Sequence, residues 1–103
     1  MSDLVEKWRL AAAEWLDAKE AASLLRETKN DVFAEIKSKM NASSEAERDR
    51  QARLSTEWAV HRSKMLEAEK TERRMSMAVK YRQMQFDAWR TEAANNRKER
   101  GNY

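Results

Sequence analysis

One glycine, at position 101, and no proline stand in a chain of 103 residues. Sheet folds turn every few residues, and turns draw on Gly, Pro and Asn. So few breakers exclude sandwiches, barrels and α/β folds, and leave an all-α chain of a few long helices. The absence of Cys removes disulfide scaffolds and cysteine–zinc modules. It also fits a reducing compartment. No segment approaches the ~20 apolar residues of a membrane span, and the start has no basic stretch followed by an apolar run. A cytoplasmic protein without a membrane partner is expected. The length suits one helical domain over residues 1–103.

The apolar positions give the helices their phase. From Leu4 they step by four and three through Trp8, Ala11, Trp15, Ala18, Ala22 and Leu25, then Val32 and Ile36. That is one continuous side of a helix. Ser2 or Asp3 is expected to cap it, with Glu6 completing a capping box. Lys29 is the one charge in this seam, and Thr28-Lys29-Asn30-Asp31 is its weak point, because Asn and Asp compete for backbone hydrogen bonds. Asn41 suits a left-handed helix end, and Ser44 with Glu47 has the spacing of a second capping box. Helix 1 is therefore expected at about 3–40, a turn at 41–44, helix 2 at about 45–98 and a short tail at 99–103. The seam of helix 2 runs Leu54, Trp58, His61, Met65, Ala68, Glu72, Met75, Val79, Arg82, Phe86, Trp89, Ala93. Glu72 and Arg82 within it either fix register or reach out to water. Two long helices joined by a short turn make a coiled-coil-like antiparallel hairpin.

Helix 2 carries a second stripe on another side: Met77, Tyr81, Met84 and Ala88, again stepping four, three, four. One hairpin partner covers one stripe, so a second stripe needs a second partner. A lone two-helix seam also offers little net stability. Self-association is expected, most simply as a four-helix homodimer, or as a higher oligomer. The competing possibility is a compact three-helix monomer, broken near Asn30 or within 68–74. The anchors are Trp8 and Trp15 on helix 1, and Trp58, Phe86 and Trp89 on helix 2, since large aromatics dominate interface energetics. Met77, Tyr81, Met84 and Ala88 form the candidate second interface.

No catalytic pattern is present. The chain has no Gly-x-Ser-x-Gly, no Cys nucleophile and no phosphate loop. His61 is the only His. One turn after Glu57, it lacks the further ligands a metal site wants and reads as a seam residue. No enzyme activity, cofactor, metal or small-molecule substrate is expected.

The charge is uneven. The net +3 lies in the last third, where eight bases face four acids. Arg73, Arg74, Lys80, Arg90, Arg97, Lys98 and Arg100, interleaved with aromatics, offer an alternative: a nucleic-acid-binding accessory, bases on phosphates and free rings such as Tyr81 and Tyr103 on nucleobases. Against it, Phe86 and Trp89 fall in the core phase, and cations are favourable at a helix C-terminus in any case.

The stretch Lys80-Tyr81-Arg82-Gln83-Met84-Gln85-Phe86-Asp87-Ala88-Trp89-Arg90-Thr91 resembles the C-terminal end of small helical proteins from temperate-bacteriophage early or recombination regions. That resemblance implies a phage accessory protein acting in the bacterial cytoplasm on a host or phage protein, or alongside DNA. It carries no functional residue with it. The sequence thus points to a helical interaction protein that self-associates and binds another macromolecule, most simply a protein.

Overall fold

Thr28 and Leu54-Ser55 each interrupt what the sequence reads as one long helix. The computed structural model describes residues 2–101, with side chains described for 3–98. It is all-α, with α1 (Ser2–Glu27), α2 (Lys29–Ser38), α3 (Glu45–Arg53) and α4 (Thr56–Gly101), and no strand among the described residues. Within residues 18–72 the helices on either side of 39–44 run antiparallel, as a helical hairpin. The tail expected at 99–103 is helical as far as Gly101, where Arg97 and Lys98 complement the end of the helix dipole. The expectations for Tyr103 and for the Arg100 side chain lie outside the described residues.

The interruption at Thr28 falls in the expected weak stretch, directly before α2. Asn30 and Asp31 lie inside α2. The Thr28 hydroxyl donates to the Leu24 carbonyl, at 2.8 Å, alongside the Thr28 amide at 3.0 Å. Asp3 does not cap α1. It sits inside the first turn and pairs with Lys7 at 3.2 Å.

α2 ends on tightened bonds, Lys39 N–H to the Ile36 carbonyl at 3.1 Å and Met40 N–H to the Lys37 carbonyl at 3.0 Å. These satisfy the last carbonyls. Asn41 therefore does not adopt the expected left-handed conformation, and no described residue has positive φ. Ser44 does cap α3: it is extended, with φ −107° and ψ 149°, and its Oγ accepts from the Glu47 N–H at 3.1 Å. The Glu47 carboxylate turns instead to Arg50, at 2.8 Å.

The second interruption lies where the periodicity shows none. Ser55 Oγ donates to the Ala52 carbonyl at 2.7 Å and accepts from the Trp58 N–H at 3.1 Å. One hydroxyl thus closes α3 and caps α4. Leu54, the first residue expected in the seam of helix 2, is carried outward and is 74% exposed.

By internal packing the chain divides into two compact units, residues 18–72, and residues 1–17 with 73–103. In the unit 18–72, Ile36, Ala52 and Trp58 are buried, with Val32, Phe33 and Met40 packed on them. Ala52 is wholly covered, and its small side chain admits the indole. Phe33 meets Trp58 edge-on, and His61 stacks on Trp58 with centroids 5.5 Å apart. The pairing is antiparallel: Arg26 reaches Glu72 at 3.5 Å, Phe33 reaches Trp58, and Lys39 reaches Glu57 at 3.4 Å. Glu72 is half-buried beside Arg26, while Lys29 is exposed and plays no part in a seam.

In the other unit, Leu4, Val5, Ala11, Ala12 and Trp15 of α1 are covered, as are Met75, Val79, Arg82, Phe86, Trp89 and Ala93 of α4. The rings of Phe86 and Trp89 lie 6.1 Å apart, nearly parallel. The expected seam positions on α4 therefore do turn inward in this unit.

Candidate interaction surface

Two stripes on α4 meet opposite fates. At about 100° per residue, Met75, Val79, Arg82, Phe86 and Trp89 share one side. Met77, Tyr81, Met84 and Ala88 lie almost opposite and are all exposed. Met77 is 70%, Tyr81 57% and Met84 68% accessible. No described residue covers them.

Tyr81 is held in place on this surface. Gln85 Nε2 donates to its hydroxyl at 3.2 Å. The Arg82 guanidinium, which donates to Gln85 Oε1 at 2.8 Å, sits 5.6 Å from its ring centroid. The half-buried Arg82 is thereby occupied with its own neighbours. These contacts pin the ring and lower the ordering cost of any contact it makes.

The expected anchors do not gather on the stripe. Trp58 belongs to the core of 18–72. Trp15, Phe86 and Trp89 are half-buried. Trp8 stays partly open at 38%. With Val5, Gln83 and Phe86 it lines an apolar pocket of about 170 Å³. Sequence periodicity does not reveal this pocket, because Trp8 and Phe86 both sit in the seam phase. A second cleft, of about 390 Å³, opens between α2 and α4 in the unit 18–72 and includes Ile36, Lys39, Val60 and His61. His61 Nε2 is shielded there and has no hydrogen-bond partner among the described residues. Glu57 does not supply one, since it pairs with Lys39.

Charges divide into two populations. On α3 they are satisfied locally. A hydrogen bond from Lys37, then its charge and that of Arg48, hold the Glu45 carboxyl below its ordinary range. Arg50 does the same for Glu47, and Arg53, with Lys37, for Asp49. On α4 the pattern is reversed. Arg73, Arg74, Lys80, Arg90, Arg97 and Lys98 are exposed, and no ion pair among the described residues involves them. The Arg90 guanidinium lies 6.0 Å from the Phe86 ring centroid.

Among the described residues no three His, Cys, Asp or Glu side chains gather as a metal site. No described helix is long and apolar enough to cross a membrane. No protein-family model matches the chain, and neither a curated protein nor a solved structure matches it significantly.

Proposed function

We propose that this protein is a non-enzymatic helical interaction protein, which self-associates through Met77, Tyr81, Met84 and Ala88 and in that form binds another macromolecule, most simply a protein. One observation carries the reading: an apolar stripe in strict helical phase is left open by the chain's own fold. Met adapts to varied partners, and Tyr adds contact area with a polar tip. A cytoplasmic, phage-accessory setting belongs to the same proposal and rests on the resemblance of residues 80–91. The test is solution mass by light scattering. Met77→Glu combined with Met84→Glu should reduce the mass and leave helicity nearly unchanged. Unchanged mass overturns the role of the stripe.

The exposed, unpaired cations of α4 favour a second reading, a nucleic-acid-binding accessory using Arg73, Arg74, Lys80, Arg90, Arg97, Lys98 and Arg100. Phosphate contacts release counterions, so such binding should weaken steeply with salt. Binding of single-stranded DNA that is flat across a salt titration removes this reading.

A further inference from the structure

We infer that the partner of the exposed stripe is the same stripe of a second copy, running antiparallel about a two-fold axis that passes between positions 82 and 83. This rests on the self-association proposed above and specifies its geometry.

The spacing 77, 81, 84, 88 reads the same in both directions. Reversed against itself, it sets Met77 opposite Ala88 of the second copy and Tyr81 opposite Met84. A long side chain then faces a short one, and a thioether faces a ring, as interdigitated helix packing favours. A parallel pairing would instead set Tyr81 on Tyr81 and leave Ala88 facing Ala88.

The flanking charges choose the same orientation. Lys80 and Asp87 lie on one flank of the stripe. Arg74 and Glu92, separated by about five full turns, share the other. A two-fold across an antiparallel pair brings each flank onto its own copy. Lys80 then meets Asp87 of the second copy, and Arg74 meets Glu92, each contact occurring twice. Parallel helices bring opposite flanks together and would place Asp87 beside Glu92, acid on acid. All four side chains are exposed. Lys80, Arg74 and Glu92 have no ion-pair partner among the described residues, and Asp87 accepts only from Gln83, at 3.2 Å on Oδ1. The contact spans about 27 Å of helix. That is short for an interface, so the flanking charges decide orientation while the apolar stripe supplies cohesion.

The absence of native Cys makes cross-linking a clean test. Met77→Cys and Ala88→Cys variants of the full chain are oxidised separately and as a mixture, beside light scattering of the native protein. The expected result is a dimeric native protein with a disulfide-linked dimer from the mixture and little from either variant alone. A dimeric native protein whose Met77→Cys variant cross-links by itself overturns the antiparallel orientation and leaves self-association standing. A dimer with no cross-link in any arm overturns the register. A monomer at hundreds of micromolar overturns both proposals. The charge arm is independent. Asp87→Lys should weaken dimerisation about ten-fold by facing Lys80, and adding Lys80→Glu should restore it. A parallel dimer would instead tighten with Asp87→Lys alone, and that result overturns the inference.

Discussion

Phe33 meets the indole of Trp58 edge-on, with ring centroids 4.9 Å apart and planes at 65°. Through this contact α2 is joined to the first turn of α4, and Ala52 closes the third side. Trp58→Ala should lower the melting temperature sharply, since loss of a core aromatic costs ~3–5 kcal/mol. Phe33→Leu keeps the apolar volume and loses mainly the ring geometry, worth about 1 kcal/mol. Thermal melts followed by circular dichroism should rank the two in that order.

Ser55 serves two helices with one hydroxyl. Ser55→Ala should cost about 1 kcal/mol, read as a fall in the urea midpoint. Leu54→Gln, one residue earlier on an exposed side chain, should change stability by less than about 0.5 kcal/mol. A Leu54 substitution as costly as the Ser55 one would mean that Leu54 is packed.

The acid limb of the stability curve should involve α3. Glu45, Glu47 and Asp49 titrate below their ordinary values of 4.5, 4.5 and 3.8 in the folded chain. A carboxyl whose folded pKa is lowered contributes stability that is fully present above its unfolded pKa and lost as pH falls through the folded one. Helicity should therefore hold down to about pH 5 and decline below it. The decline should be smaller in Lys37→Met, which removes the main cause of the Glu45 shift. These groups are solvent-exposed, so salt should also blunt it.

His61 stacks on Trp58 with Nε2 shielded and unpaired. An apolar ring in its place removes an unmet hydrogen-bonding group. His61→Phe should keep or raise the melting temperature. A clear fall would show that the nitrogen has a partner in solution.

The helical class and the inward stripes were legible because apolar spacing reports directly which side of a helix is covered. Trp58, Phe86 and Trp89 lie on the inward side, and Met77, Tyr81 and Met84 lie outward. The interruption at Leu54-Ser55 was hidden for a physical reason. The expected seam only begins at Leu54, so no earlier apolar spacing could expose a break there, and no Gly or Pro marks it. The signal was a serine able to cap, followed by Thr56 and Glu57, which suit a first helical turn. At Thr28 the weak stretch is legible in the run Thr28-Lys29-Asn30-Asp31, and the break falls at its first residue. Near Asn41 the sequence marks the helix end but not its backbone, because a terminus can satisfy its carbonyls by tightening its last turn as well as by a left-handed residue. The open pocket beside Trp8 depends on the fit between two helices, which no single-chain periodicity encodes.

The aromatic cluster at the turn has its members between Val32 and Trp58, so little chain entropy is lost in bringing them together. Contacts so near in sequence assemble quickly. The cluster is therefore expected to act as the nucleus of residues 18–72. Damage there should slow refolding, whereas loosening the Arg26–Glu72 contact should mainly hasten unfolding.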